Sequence, residues 1–210
     1  MDEFKLRKIK SLDDTKKVFS FISSNIFQDI LRNGDEFVPL HELYESMIEN
    51  LVKNKDLQFY GTLGKNIISA VVSRVLPYDP KCLVVDIITV KDIFRHNGFA
   101  NLMLAEIEMI AKRLGFERIR VLYNHNACPF FKRHNFELFL ELAIPETLQI
   151  EDVIKINNLA LQSKKITKYN DINFVEYDVS TADKRIKSYI SKNTPLVKAV
   201  YILEKRFKKD

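Results

Sequence analysis

The segment Arg95-His96-Asn97-Gly98-Phe99-Ala100 combines residue types and spacing that suit anion binding. It follows an apolar run ending at Val90 and opens a long amphipathic pattern. Gly98 admits backbone geometry that other residues resist, and with small Ala100 it lets the main chain approach a ligand closely. The first amides of a helix lack intrahelical acceptors and carry the positive end of the helix dipole. A pyrophosphate fits such a turn, and Arg95 can add charge-assisted contacts. The turn from Arg95 to Asn101, with His96, Asn97 and Phe99, is thus a candidate phosphate site. It matches neither Gly-x-x-x-x-Gly-Lys-Ser/Thr nor Gly-x-Gly-x-x-Gly. Read alone, the hexapeptide is equally compatible with an ordinary strand-to-helix turn.

A second chemical signal is Asp86, the only charged residue between Cys82 and Val90. A carboxylate in so apolar a run is costly unless paired or hydrated. That marks it as a candidate proton acceptor, against the alternative of a structural Asp bonded to nearby backbone amides. Proton donors near the turn in sequence are Cys128, Tyr123 and His134. Cys128 sits near the start of a short helix, where the dipole lowers a thiol pKa; its other reading is a small buried apolar residue. Tyr123 lies on a strand and can simply pack.

The elements that must position these residues follow from periodicity. Phe4 to Ile9 alternates as a half-buried strand. Ser11-Leu12-Asp13-Asp14 supplies N-cap chemistry for a helix that Asn33-Gly34 stops. A second helix spans about Pro39 to Asn54. Leu57 to Leu63 and Ile67 to Leu76 flank Gly64-Lys65 as an antiparallel hairpin. Cys82 to Val90 reads as a strand buried on both faces. Gly98 to Leu114 is a helix with the stripe Ala100, Met103, Leu104, Ile107, Ala111 and Leu114, and Gly115 occupies its C-cap. Arg118 to Tyr123 is a strand, Ala127 to His134 a short helix, and Phe136 to Leu142 a strand. Beyond these, Leu148 to Leu161 and Thr181 to Ser191 look helical, and Ile172 to Tyr177 and Val197 to Leu203 strand-like. The pattern is a mixed α/β protein with one central sheet flanked by helices. Ala143 to Glu146 is the best boundary, giving a domain over 1–142 and a C-terminal αβ extension over 143–210 packed on it. Exchange of that extension between two copies, giving a homodimer, is the alternative.

Composition is that of a globular chain, 46% apolar and 29% charged over 210 residues. No apolar run approaches the ~20 residues of a membrane span, and the acidic N-terminus has no signal-peptide core. The expected compartment is the cytoplasm, with no membrane partner. Two cysteines and four scattered histidines show no metal-site spacing, so no metal is expected. The +5 charge is concentrated in residues 143–210. No basic run interleaved with aromatics accompanies it, so a solvated Lys-rich surface is the reading, not a nucleic-acid site.

Val90, Arg95, Gly98 and Ala100 fall on a strand ending in Val followed by Arg/Gln-x-x-Gly-x-Gly/Ala. Asn124, Ala127, Phe131, Arg133, Asn135 and Phe136 fall in register on Asn-x-x-Ala-x-x-x-Tyr-x-Lys/Arg-x-Gly-Phe. Residues 4–142, with their element order, therefore resemble the GCN5-related N-acetyltransferase (GNAT) family. The resemblance implies an acyl-CoA-dependent N-acyltransferase that uses acetyl-CoA as donor and acetylates a primary amine, small-molecule or peptide, by direct attack in a ternary complex. It implies that the fourth and fifth strands splay apart around the pantetheine arm. The arm would bond to the backbone at Ile88 and Val90, and Asn124 would contact it or help to position the ligand. It also implies a carboxylate on strand four as base, a position that Asp86 occupies. Two residues depart from the pattern. Asn135 replaces a glycine, and Asn tolerates left-handed geometry. Phe131 replaces the tyrosine that in many members protonates the departing thiolate. That departure admits a different class of function, a non-catalytic module that binds acyl-CoA or a partner.

Overall fold

A computed structural model describes residues 3–33, 39–159, 163–180 and 182–207. The elements run β1 (Phe4–Lys8), α1 (Leu12–Asn33), α2 (Leu40–Lys53), β2 (Gln58–Leu63), β3 (Asn66–Leu76), β4 (Asp79–Val90), α3 (Phe99–Arg113), β5 (Arg118–Leu122), α4 (Cys128–Arg133), β6 (Glu137–Pro145), α5 (Ile150–Ile156), β7 (Ser163–Tyr169), β8 (Ile172–Asp178), α6 (Lys184–Asn193) and β9 (Lys198–Arg206). Gly34 of the expected helix stop, and the helix limits expected at Leu161 and Thr181, lie outside the described residues.

Alternation of apolar residues on β2 to β9 places one sheet between two layers. Its order is β1-β2-β3-β4-β5-β9-β6-β8-β7. Among the described residues β4 and β5 form the one parallel pair; the other neighbours are antiparallel. On one face, Leu83, Val85, Ile119, Val121, Leu140 and Leu203 pack with Met103, Leu104 and Ile107 of α3, with Val153 of α5 and with Ile190 of α6. On the opposite face, Ala70, Val72 and Ile87 pack with Val18 and Ile22 of α1 and Leu43 and Met47 of α2.

The C-terminal third joins the sheet in two places, and its β8 and β7 extend the sheet beyond β6, with β7 as the edge strand. Its last strand, β9, is inserted between β5 and β6, pairing with both along most of its length. The expected boundary at residue 142 falls inside β6, and one sheet continues through both sides of it. β7 has no counterpart in the sequence reading.

On the α1/α2 face beyond β4 the sheet carries charge instead of apolar side chains. Arg118 and Arg120 of β5 meet Glu204 of β9, Glu141 of β6 and Glu176 of β8, all at least nine-tenths buried. Asp79 pairs with Arg118 and with Lys165 of β7, and Arg206 joins at the rim. Tyr78, from the β3–β4 turn, lies over this row. It donates a hydrogen bond to Glu141 at 2.7 Å and stacks on Phe174 with ring centroids 3.8 Å apart. Four cations thus face four carboxylates. Burial pushes Asp79 up, but Lys165 and Arg118 outweigh it and hold the carboxyl at about 2.

Two C-terminal caps hold the helices beside the site. Gly115 follows α3 at φ 79°, with amide bonds from Gly115 to the Lys112 carbonyl and from Phe116 to that of Ala111. Asn135 follows α4 at φ 64° and fills the glycine's place in the motif as expected. Among the described residues, no helix is long and apolar enough to cross a membrane.

Candidate active site

β4 and β5 are paired only where Cys82–Val85 face Arg118–Val121. β4 then continues to Val90 without β5 beside it, because β5 ends at Leu122. The register of β4 on β3 explains where pairing stops. Val72 faces Ile87 and Ser73 faces Val85, so Asp86 is an extra residue in β4, a β-bulge. A bulge bends its strand and disrupts the ladder. The edge of β4 from Asp86 to Val90 is left open beside a gap in the sheet.

A cavity of about 710 Å³ occupies this region on the α3/α4 face, within the ~300–1,000 Å³ of small-molecule sites. Ile88, Thr89 and Val90 of β4 form its floor. Phe94, Arg95, His96, Gly98, Phe99, Ala100 and Asn101 form one wall, and Asn126, Ala127, Pro129, Phe130, Phe131, Arg133 and His134 the other.

The first wall is a shaped turn. The Lys91 amide bonds to the Ile68 carbonyl at 2.7 Å, and a single 3-10 turn over Asp92–Phe94 redirects the chain. His96 and Gly98 both adopt left-handed backbone, at φ 65° and 81°. A Cβ on Gly98 would meet nothing within 4 Å, so glycine is needed there for its φ and not for space. Leu102 donates the first intrahelical bond, to Gly98. The amides of Phe99, Ala100 and Asn101 precede it and have no acceptor in the helix. Arg95 is folded back along the turn, its Nε donating to the Val90 carbonyl at 3.2 Å and its Nη1 3.3 Å from Asp92. Asn97 lies outside the cavity lining and donates to the Arg95 carbonyl at 3.1 Å, bracing the turn.

The second wall starts with Asn124, whose side-chain oxygen accepts from the amides of Asn126 and Ala127 at 2.9 and 3.1 Å. Asn124 therefore sets up the turn into α4 and lies outside the cavity lining. Phe131 separates the cavity from the core, 8% exposed and edge-on to Phe130 and Phe136. Cys128 is buried among core residues and Tyr123 packs on Tyr201; neither lines the cavity. The Tyr123 hydroxyl lies 3.3 Å from His125 Nδ1, and burial raises its pKa. Of the three proton-donor candidates, His134 alone reaches the cavity wall, with Nε2 3.1 Å from Asn101 Oδ1.

Asp86 lies on the opposite face, beside α2. Its carboxyl is 2% exposed, accepting from Arg74 Nε at 3.0 Å and from Ser46 Oγ at 3.5 Å. Burial pushes its pKa up to about 6, against the pull of Arg74 and Ser46 and with a small further push from Glu42. The group is a weak base that is ionised near neutrality. Phe94, Thr89, Asn126, Pro129 and Phe130 line the cavity without having been singled out from the sequence. No chemical residue type marks them, and only the facing of α3 and α4 brings them in.

Residues 24–136 match the model of the acetyltransferase (GNAT) family. The chain belongs to that family. Solved GNAT-type structures share the fold at low identity. Coenzyme A-bound PaiA N-acetyltransferase from Thermoplasma acidophilum is 12% identical, with a TM-score of 0.54 over 84% of this chain and 99% of that one. N-acetylglutamate synthase from Neisseria gonorrhoeae, in complex with coenzyme A and N-acetyl-glutamate, is 14% identical with a TM-score of 0.55. The likeness covers all of this chain but 36% of the synthase. A GNAT acetyltransferase from Desulfovibrio desulfuricans is 13% identical, with a TM-score of 0.50 over 86% of this chain and all of that one. No curated protein matches the sequence.

Proposed function

We propose that the protein is an acyl-CoA-dependent N-acyltransferase that moves acetyl from acetyl-CoA to a primary amine, of a small molecule or a peptide, within a ternary complex. The observation that carries this reading is the gap beside β4, with the amide end of α3 on one face of the sheet and Asp86 on the other. The diphosphate is held by the amides of Phe99 to Asn101 with Arg95. The pantetheine arm runs along the open edge of β4 at Ile88 and Val90. Its thioester then lies at the gap, where an amine arriving from the α2 face can reach it. That two solved relatives hold coenzyme A supports the donor assignment.

The amine must attack as the neutral base. An alkylammonium with a pKa near ~10.4 therefore has to lose a proton first. Asp86 accepts it, directly or through one water. The amine nitrogen forms a bond to the carbonyl carbon, the C–S bond breaks with its electron pair leaving on sulfur as the coenzyme A thiolate, and the second proton of the nitrogen is lost to water or to that thiolate as the amide forms. Exposed Glu42 and Glu45 on α2 favour a cationic acceptor.

Phe131 supports a second reading, a non-catalytic module of the same fold that binds acyl-CoA or a partner, because a phenyl ring has no proton for the thiolate. Calorimetry with acetyl-CoA, followed by an amine panel monitored for free thiol, separates the two. Amine-dependent thiol release supports the enzyme. Tight binding with no release across the panel supports the module. Absence of binding overturns the enzyme and the acyl-CoA-binding module, and leaves only a module that binds a partner.

A further inference from the structure

We infer that Arg133 selects coenzyme A over its dephospho form by holding the 3′-phosphate of the adenosine end. This rests on the acyl-CoA reading. The cavity has an arginine on each of two walls. On the first, Arg95 and His96 accompany the outward amides of α3; on the second, Arg133 and His134 end α4.

The two walls suit different anions. A diphosphate presents several oxygens of partial charge, which successive backbone amides match. A 3′-phosphate is a monoester close to dianionic at neutral pH and calls for a full cation. Arg95 cannot reach both, since it is tied to Val90 and Asp92 in its own turn. Arg133 has no ion-pair partner among the described residues and lines the cavity. The carbonyl end of α4 by itself repels an anion, so its attraction depends on the Arg133 guanidinium. His134, its ring 4.9 Å from that of Phe130 and Nε2 on Asn101, ties α4 to α3 next to Arg133 and keeps this wall in place.

The test is calorimetric titration of wild type, Arg133→Gln and Arg133→Lys with coenzyme A and with dephospho-coenzyme A, each variant first checked by thermal melt. The wild type is expected to prefer coenzyme A by about tenfold or more, the scale of one charge-assisted contact. Arg133→Gln should lose most of that preference while its affinity for the dephospho form stays within about twofold, and Arg133→Lys should recover part of it. Equal affinities in the wild type overturn the inference and leave the acyl-CoA reading intact. So does an Arg133→Gln variant weakened equally toward both ligands, which would mean that the side chain only offsets the α4 dipole. If the wild type binds neither coenzyme, the acyl-CoA reading fails and the inference with it.

Discussion

Replacing Arg120 by glutamine removes the central cation of the charged row on the sheet. The Arg120 side chain is 3% exposed, with Nε 2.6 Å from Glu204, Nη1 2.7 Å from Glu141, and Nη2 on Glu176. Breaking a buried pair from one side costs ~3–5 kcal/mol because the remaining charge is left uncompensated. The three contacts share one guanidinium and do not add, and Arg118 still reaches Glu176 and Glu204. The expected loss is therefore about 3–5 kcal/mol near pH 8, or about 10 °C in Tm at the ~2–4 °C per kcal/mol of a domain this size. The pH dependence is diagnostic. Burial raises the Glu204 pKa, but Arg120 and Arg118 outweigh it, so the folded value lies below the unfolded one. In the wild type this contributes stability above the unfolded pKa, and it is lost as pH falls through the folded value. Without Arg120, the largest cationic pull on Glu204 is gone and burial raises the folded pKa of that carboxyl. The variant should then lose less stability than wild type as pH falls, so its deficit against wild type shrinks toward pH 5. Urea unfolding followed by circular dichroism at both pH values measures this. A deficit under about 1 kcal/mol, or one that is the same at both pH values, would refute the reasoning.

Three further outcomes follow from the site and the sheet. Gly98→Asp places a side chain at φ 81° and a carboxylate among the amides of α3, and should abolish acetyl-CoA binding; unchanged calorimetric affinity in a folded variant excludes the phosphate turn. Asp86→Asn should lower turnover by about a hundredfold while leaving acetyl-CoA affinity nearly intact. Wild-type turnover should fall as pH drops through about 6, where the carboxyl takes up its proton, and full turnover of the variant over roughly pH 6 to 9 would rule the base out. Truncation after Leu142 removes β9 from between β5 and β6, and should yield an aggregating chain; a soluble, monomeric fragment of equal heat stability contradicts that.

Much of the fold is legible as local pattern. The α3 stripe placed Met103, Leu104, Ile107 and Ala111 in the core, where they are, although Leu114 is exposed beyond the helix. The left-handed Gly98, Gly115 and Asn135 are legible because few residues tolerate that φ. What local pattern does not contain is adjacency. Val197 to Leu203 reads as a strand, but nothing in it says that it lies between β5 and β6, and the 142/143 division reflects the turn chemistry near Pro145 alone. β7, Ser163–Tyr169, is a lysine-rich edge with too few apolar residues to register as a strand. The charged row was written in plain alternation, as Arg118-Ile119-Arg120-Val121 and Leu140-Glu141-Leu142. Alternation, however, assigns charged positions to solvent, and only the partner strands bury them. Asp86 stood out because its run holds no other charge, whereas Arg74, its ion partner, lies on the neighbouring strand and gave no signal.

The position of β9 also bears on the order in which the chain can fold as it is made. Synthesis proceeds from the N-terminus, and early segments fold first where they can. β1 to β5 can assemble while the rest is still being added, and β6, β8 and β7 can form a three-stranded antiparallel sheet of their own. Until β9 emerges, β5 and β6 each present an open edge with no occupant between them. Such edges template pairing with other chains. The sheet is therefore completed by insertion into a waiting slot and not by accretion at a rim, and the interval before that insertion is when the nascent protein has most need of a chaperone.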